Sequence, residues 1–405
     1  VLSVLTRHRD LRRLFGAQLI VFGADWFVMV PLLVLLNDLT HKGLWGGLAL
    51  GVETGVVALL LPYAGTLADR FDRKHVLIAS NLGVLTAISG LFFVRGPAAG
   101  PIALVAVAVL AVAKAFYSPA ATSSIPNVVP PEDLRDALAI TSSAWGIMAI
   151  IGSSLGGVLS GFTSAYHCFG LVAAGLVVSA WLTWRVDKPL QQSISKVHRP
   201  AFAAIHEALR YLRGDPRLMS LVTVKSAVGL GNGVLTVFPM VALAFHVGSK
   251  GLGLMFAARG LGAIIGPILF RRVLNKPALL LPGLALSMTA YGLAYIGVAF
   301  ATWFPLVLVG VLIAHIAGGG NWVMSNFAIQ QAVPDELRGR VSATDTMIAM
   351  LAITVSQLVI GLYVDSVSTT ALFICCSATT MSYAVGWYLF THRYVIRRPA
   401  PAPAS

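Results

Sequence analysis

Pro131-Glu132-Asp133-Leu134-Arg135 returns as Pro334-Asp335-Glu336-Leu337-Arg338, an offset of 203 residues in a chain of 405. Each copy leads into an apolar run long enough to cross a bilayer, 137–161 after the first and 341–363 after the second. Proline followed by two acids suits the first turn of a helix, where the ring needs no N–H partner and carboxylates meet exposed backbone N–H groups. That local role would account for either copy alone. Half-chain spacing, with each copy ahead of the fifth of six apolar runs, predicts more. It predicts two parallel six-helix repeats related by an axis along the membrane normal.

Counting outward from these copies gives the rest of the architecture. A hydrocarbon core about 30 Å thick takes roughly 20 apolar residues per helix. Twelve runs qualify, near 14–36, 46–68, 75–94, 101–125, 137–161, 166–184, 218–244, 251–270, 277–300, 303–331, 341–363 and 369–391. The first is too long, and followed by too many others, to be a cleaved signal peptide. Val1 is not an initiator methionine, so residues before it are expected. The fold class predicted is all-α and integral to the membrane: twelve transmembrane helices in two pseudo-symmetric six-helix bundles.

Composition agrees and excludes much else. The chain is 57% apolar and 11% charged, with a mean hydropathy of +0.82; a soluble domain is about 25% charged. The net charge of +13 is no nucleic-acid footprint, because so little of the chain can be solvated. It sorts by loop instead. One face receives Arg7, Arg9, Arg12 and Arg13, then Arg70, Arg73 and Lys74, then Arg135. The bases of 185–217 follow, then Arg271, Arg272, Lys276, Arg338, Arg340, Arg393, Arg397 and Arg398, 23 of 29 in all. The opposite face receives Lys42, Arg95 and Lys250. The positive-inside rule therefore places both termini of a multi-pass protein in the cytoplasm. Three cysteines, Cys375 and Cys376 adjacent, make neither a disulfide framework nor a zinc site.

The most polar stretch separates the halves. Residues 1–186 are expected to form an N-terminal bundle, 187–217 a cytoplasmic linker, and 218–405 a C-terminal bundle with a short tail. Within the linker, Phe202, Ile205, Leu209 and Leu212 fall at helical spacing, which predicts an amphipathic interfacial helix.

Gly65-Thr66-Leu67-Ala68-Asp69-Arg70-Phe71-Asp72-Arg73-Lys74, between the second and third runs, resembles the signature loop of the major facilitator superfamily, G-x-L-a-D-r-x-G-r-k. Asp72 stands where the pattern has its second glycine. Together with Pro126-Asn127-Val128-Val129-Pro130 and Glu207-Ala208-Leu209-Arg210-Tyr211-Leu212, it is similar to a branch of bacterial drug, macrolide and siderophore (enterobactin) exporters. The resemblance implies alternating access in the bacterial inner membrane. It also implies a cytoplasmic gate in which Asp69 acts on the other half of the transporter. Gly65, Asp69, Arg70, Arg73, Lys74, Arg338, Arg340 and Asp345 are the gate candidates. The fifth-span antiporter pattern G-P-x-x-G-G appears without its proline, as Gly152-Ser153-Ser154-Leu155-Gly156-Gly157. Gly152, Gly156 and Gly157 read as close-packing positions.

Ionisable residues inside the spans are the site candidates, because each costs several kcal/mol to bury unless paired or hydrated. They are Asp25, Glu53, Lys114, Lys225, Arg259 and Asp345. Gln18, Asp25 and Trp26 gather on the first run, Lys114 and Ser118 on the fourth. Lys225 and Asn232 share a polar stripe on the seventh; His315, Trp322 and Asn326 share one on the tenth. The resemblance implies that these four runs line a central cavity, which makes all ten residues cavity candidates. Asp25 is the first choice for a coupling proton and Glu53 the second, while Arg259 reads as a buried charge. A permanent Asp25–Lys114 ion pair that only ties helices together is the plainer alternative.

No G-x-x-x-x-G-K-[ST] or metal-ligand spacing occurs, so no enzyme, cofactor or metal is expected. The leading expectation is a monomeric, proton-coupled exporter (an antiporter) of lipophilic drugs or drug-like metabolites. One alternative is export of an anionic or zwitterionic molecule, a siderophore or lysolipid, with Lys114 and Lys225 as its ligands. A non-transporting receptor or scaffold on the same fold is the third.

Overall fold

The structure, a computed structural model, describes residues 3–191, 201–274 and 276–395, apart from the side chains of 65–69, 145, 201–202, 272, 277, 335–336 and 393–395. Twelve helices are long and apolar enough to cross a membrane. Spans 1 to 6 are Arg9–Thr40, Leu44–Ala64, Arg73–Leu91, Gly96–Val128, Pro131–Ser160 and Ala165–Trp184. Spans 7 to 12 are Pro216–Ala244, Gly248–Arg271, Ala278–Ala299, Phe304–Ala332, Leu337–Tyr363 and Thr369–His392. Every expected run is there, and each copy of the repeated pentapeptide begins a helix, Pro131–Ser160 and Asp335–Tyr363.

Packing repeats as the sequence does. In the first half, span 1 packs on spans 5 and 6, span 4 on spans 2 and 3, and span 3 on span 6. Six spans later, span 7 packs on spans 11 and 12, span 10 on spans 8 and 9, and span 9 on span 12. Two long contacts join the halves, span 2 with span 11 and span 5 with span 8. A two-fold axis exchanges these contacts.

Span 7 is the irregular member. It is built of three helical pieces, Pro216–Thr223, Lys225–Gly231 and Val234–Ala244. The second break falls at Asn232 and Gly233, and span 11 makes good the backbone groups it frees. Ser356 Oγ accepts from Gly233 N at 2.9 Å and donates to the carbonyl of Leu230. A broken helix within a bilayer persists only where such partners replace its lost bonds.

The basic face is knitted by side chain to backbone bonds within each half. Arg73 donates to the carbonyls of Ser123 and Leu190, and Lys74 to that of Val186. Asp72 caps span 3 by accepting from Lys74 N at 2.7 Å, a bond the usual glycine could not make. Just outside span 6, the Arg13 guanidinium lies 2.7 Å from Asp187 and holds its carboxyl below the usual range. The linker helix, Ala201–Gly214, packs Ala208 and Leu212 against Leu218, Val222, Ile329, Val333 and Val341 of the second half. Glu207 on that helix pairs with Arg340 at 2.7 Å.

The opposite face is sealed across the halves. A Cβ placed on Gly47 would lie 2.6 Å from Gly361 Cα, and one on Gly157 would lie 2.8 Å from Gly253 Cα. Spans 2 and 11, and spans 5 and 8, therefore touch backbone to backbone. Above the first crossing, Asp365 accepts from Gly43 N at 2.7 Å and Leu44 N at 3.1 Å, so a carboxylate of the second half caps span 2. Gly47→Leu should cost this closed crossing about 1–3 kcal/mol and favour opening of the sealed face. In a chain whose native cysteines are replaced, Leu50→Cys should then react several-fold faster, on the order of the population shift, with a maleimide applied from that face. Unchanged labelling would show that the crossing does not set the closure.

Candidate functional site

A cavity of about 760 Å3 lies between the halves, a size within the ~300–1,000 Å3 of small-molecule sites. It runs from mid-bundle toward the basic face, where Arg135 is exposed at its rim. Gln18, Phe22, Asp25, Trp26 and Met29 of span 1 line it, so the expected stripe on that helix is a single wall. Lys114 and Ser118 of span 4 face them. Span 2 adds Glu53 and Thr54, span 7 Asn232, span 8 Phe256 and Arg259, and span 11 Met350, Ile353 and Gln357.

The deep end is organised by charge. Lys114 Nζ lies 2.5 Å from Asp25 Oδ2 and 2.7 Å from Glu53 Oε1. Three spans are thereby tied through one ammonium, and all three side chains are at most 17% exposed. The other oxygen of Asp25, Oδ1, is buried and accepts no hydrogen bond. Across the cavity, the Arg259 guanidinium stands 4.9 Å over the Trp26 ring, a cation–π contact between the halves. Thr54 reaches Gln357 at 3.1 Å and also crosses from one half to the other.

Four expected cavity residues lie elsewhere. Lys225 is fully buried and meets Asp345 and, at 2.6 Å, Asn326; its ammonium stands 4.9 Å over the Trp322 ring. Lys225 and Asn232 share one helical piece and one face, but they stand about two turns apart along its axis, so only Asn232 reaches the cavity. Asn326 and Trp322 follow Lys225 into the core of the second half. His315 is also in that core, 2.9 Å from the Tyr295 hydroxyl. Span 10 packs on spans 8 and 9, so its polar stripe faces inward without reaching the cavity.

The gate candidates divide as well. Asp345 belongs with Lys225 and Arg340 with Glu207. Five residues along a helix is a turn of roughly 140°, so the two point in different directions. Arg73 and Lys74 bond within the first half, Arg70 is exposed at the end of the helix Leu44–Arg70, and Arg338 reaches toward the carbonyl of Val333 at 3.4 Å. The side chains of Gly65 and Asp69 lie outside the described residues. Of the glycines, Gly152 and Gly156 meet Trp26 and Phe27 of span 1, and Gly157 meets span 8. Arg135 and Gln357 also line the cavity; loop charge does not single out the first, whereas a lone amide in an apolar span is itself a signal for the second. Among the described residues no cluster of His, Cys, Asp or Glu could hold a metal.

Two pseudo-symmetric six-helix halves around a cavity with charged groups at its deep end define a multi-pass membrane transporter. The Major Facilitator Superfamily model matches residues 14–281 and 226–405, and the chain belongs to that family. It is a transporter rather than an enzyme. An enterobactin exporter, EntS, of Salmonella typhi is 24% identical over 348 residues, covering 84% of this chain and 82% of that one. EntS of Citrobacter koseri is 23% identical over the same shares. Among solved structures, a peptide transporter POT in complex with sulfate superposes with a TM-score of 0.76 at 13% identity, over 96% of this chain and 95% of that one. The human organic anion transporter MFSD10 (TETRAN) gives 0.66 at 16%, over 94% and 98%. These structures are alike in fold.

Lys114→Met would leave two carboxylates buried around no cation. It should lower stability by about 3–5 kcal/mol, the cost of breaking a buried pair by removing one partner. Adding Asp25→Asn should recover part of that loss. Thermal melts of the purified single and double variants check both statements, and additive effects would contradict the shared pairing.

Proposed function

We propose that the chain is a proton-coupled exporter of organic metabolites of the siderophore kind, working by alternating access as a monomer in the bacterial inner membrane with both termini cytoplasmic. Residues 1–186 and 218–405 are the moving bodies of this proposal, and 187–217 is the tether between them. The observation that carries it is the arrangement of two carboxylates on one ammonium, with Asp25 Oδ1 left without a partner. Such a cluster holds one negative charge in excess of its cation, and a proton on Oδ1 removes it. Neutral Asp25 binds Lys114 more weakly, and the ammonium turns to Glu53. Span 1 is then released from span 4, and span 1 carries Trp26 against Arg259 of the other half. Protonation is thus converted into freedom between the halves, a shift of population between two arrangements. Export of a siderophore follows the names of the EntS relatives; the cavity, open toward the basic face and sealed on the other, suits loading from the cytoplasm.

Export of lipophilic drugs is the second reading. It is favoured by the apolar part of the wall, where Phe22, Met29, Leu50, Val57 and Leu61 give a flat ligand a large unpolarised surface.

The test uses inverted vesicles under an imposed proton gradient, with enterobactin and ethidium offered separately. Asp25→Asn should abolish gradient-driven accumulation while leaving substrate exchange at equal concentrations within about threefold of the parent, because a neutral side chain still permits the conformational cycle. Accumulation that keeps its gradient dependence in Asp25→Asn would reduce the Asp25–Lys114 contact to a structural tie. Ethidium movement without enterobactin movement would select the drug reading.

A further inference from the structure

We infer that Arg259, with Asn232 lining the same cavity from the second half, is the subsite for an anionic group on an aromatic substrate. The inference deepens the exporter reading and rests on it. It also moves the anion-binding role away from the two lysines first considered for it. Lys225 is outside the cavity, and Lys114 is already held by two carboxylates.

Arg259 is the deep cation with donors to spare. Its guanidinium lines the cavity, yet among the described residues no ion pair or hydrogen bond reaches it, and its Nε is buried without a partner. Its charge faces the Trp26 ring and acts through space with the Asp25 and Glu53 carboxylates. A guanidinium in the middle of a membrane protein is expensive to keep unless an anion meets it, and the planar fork of donors matches a carboxylate or a phenolate. Asn232 supplies the second, independent mark. It is 5% exposed, lies at the break in span 7 and lines the same cavity, and its Oδ1 has no partner. Its side-chain amide can turn to donate to the same anion. Trp26, Phe22 and Phe256 line the same cavity, with the Trp26 and Phe256 rings 6.3 Å apart. An aromatic acid would place its ring among these faces and its charge against Arg259, and in doing so would touch both halves.

Two fluorescent probes of opposite charge test the assignment in vesicles carrying the full chain: carboxyfluorescein, an aromatic carboxylate, and ethidium, an aromatic cation. The parent should move carboxyfluorescein in preference. Arg259→Gln should raise its KM about tenfold or more, the loss of one charge-assisted contact, without a matching change for ethidium. Arg259→Lys should recover part of the loss, because it keeps the charge without the fork. Asn232→Ala should raise the same KM by a smaller factor. Unchanged carboxyfluorescein transport in Arg259→Gln would overturn the inference. So would equal loss of both dyes with no rescue by Arg259→Lys, the mark of a packing role. A parent that moves ethidium alone, or neither dye, overturns it as well. Failure of the exporter reading shows separately, as enterobactin and ethidium accumulation by the parent that ignores the proton gradient.

Discussion

Lys114 carries the cation that the two acids at the deep end of the first half share, and three helices meet around it. Spans 1, 2 and 4 would each bring a polar side chain into an apolar bundle at a cost of several kcal/mol. Gathered on one ammonium, those costs offset one another, and the first half gains a fixed centre. Trp26 is set by the helix that carries Asp25, Arg259 is set against Trp26, and the wall of the cavity follows. The second half solves the same problem out of reach of solvent. Lys225 and Asp345 neutralise each other between spans 7 and 11, with Asn326 and the Trp322 face completing the shell. One half keeps its charges on the wall of the cavity; the other uses its pair to hold a broken helix.

The two halves meet asymmetrically across the membrane. Toward the basic face the cavity separates them. Toward the other face, glycines bring spans 2 and 11, and spans 5 and 8, into backbone contact. Spans 7 and 11 are bound together by the buried ion pair and by Ser356 at the second break, so they form one body. Relative motion is left to the seams between span 2 and span 11 and between span 5 and span 8, where small residues permit sliding without repacking of long side chains.

How much of this was legible depended on what periodicity can say. The repeated Pro131 and Pro334 pentapeptides, the loop charges and the run lengths specified twelve spans and two halves, because each reports on a whole helix and tolerates local error. Gln18, Asp25 and Trp26 of the first run line the cavity together, since span 1 is an unbroken helix there. Of the Lys225 and Asn232 stripe only Asn232 did, because Lys225 lies about two turns nearer the basic face, where Asp345 and Asn326 meet it. The His315, Trp322 and Asn326 stripe is a real face turned toward the neighbours of span 10, and spacing alone does not say which way a face points. Pairing was the least legible level. Asp345 sat near Arg340 in sequence, and only the packing of span 11 on span 7 placed it on Lys225.

The cap that Asp365 places on span 2 has a consequence for the energetics of opening. Two backbone amides and a carboxylate are satisfied by one another while that face is shut, and each must take up water when it parts. Such an exchange is close to balanced in free energy, because charge-assisted bonds within the protein replace bonds of similar strength to solvent. The seal is therefore a reversible partition of hydration between two states. Solutes excluded from protein surface favour whichever state exposes less of it. The activity of water is thus among the quantities that set how long this transporter dwells with that face closed.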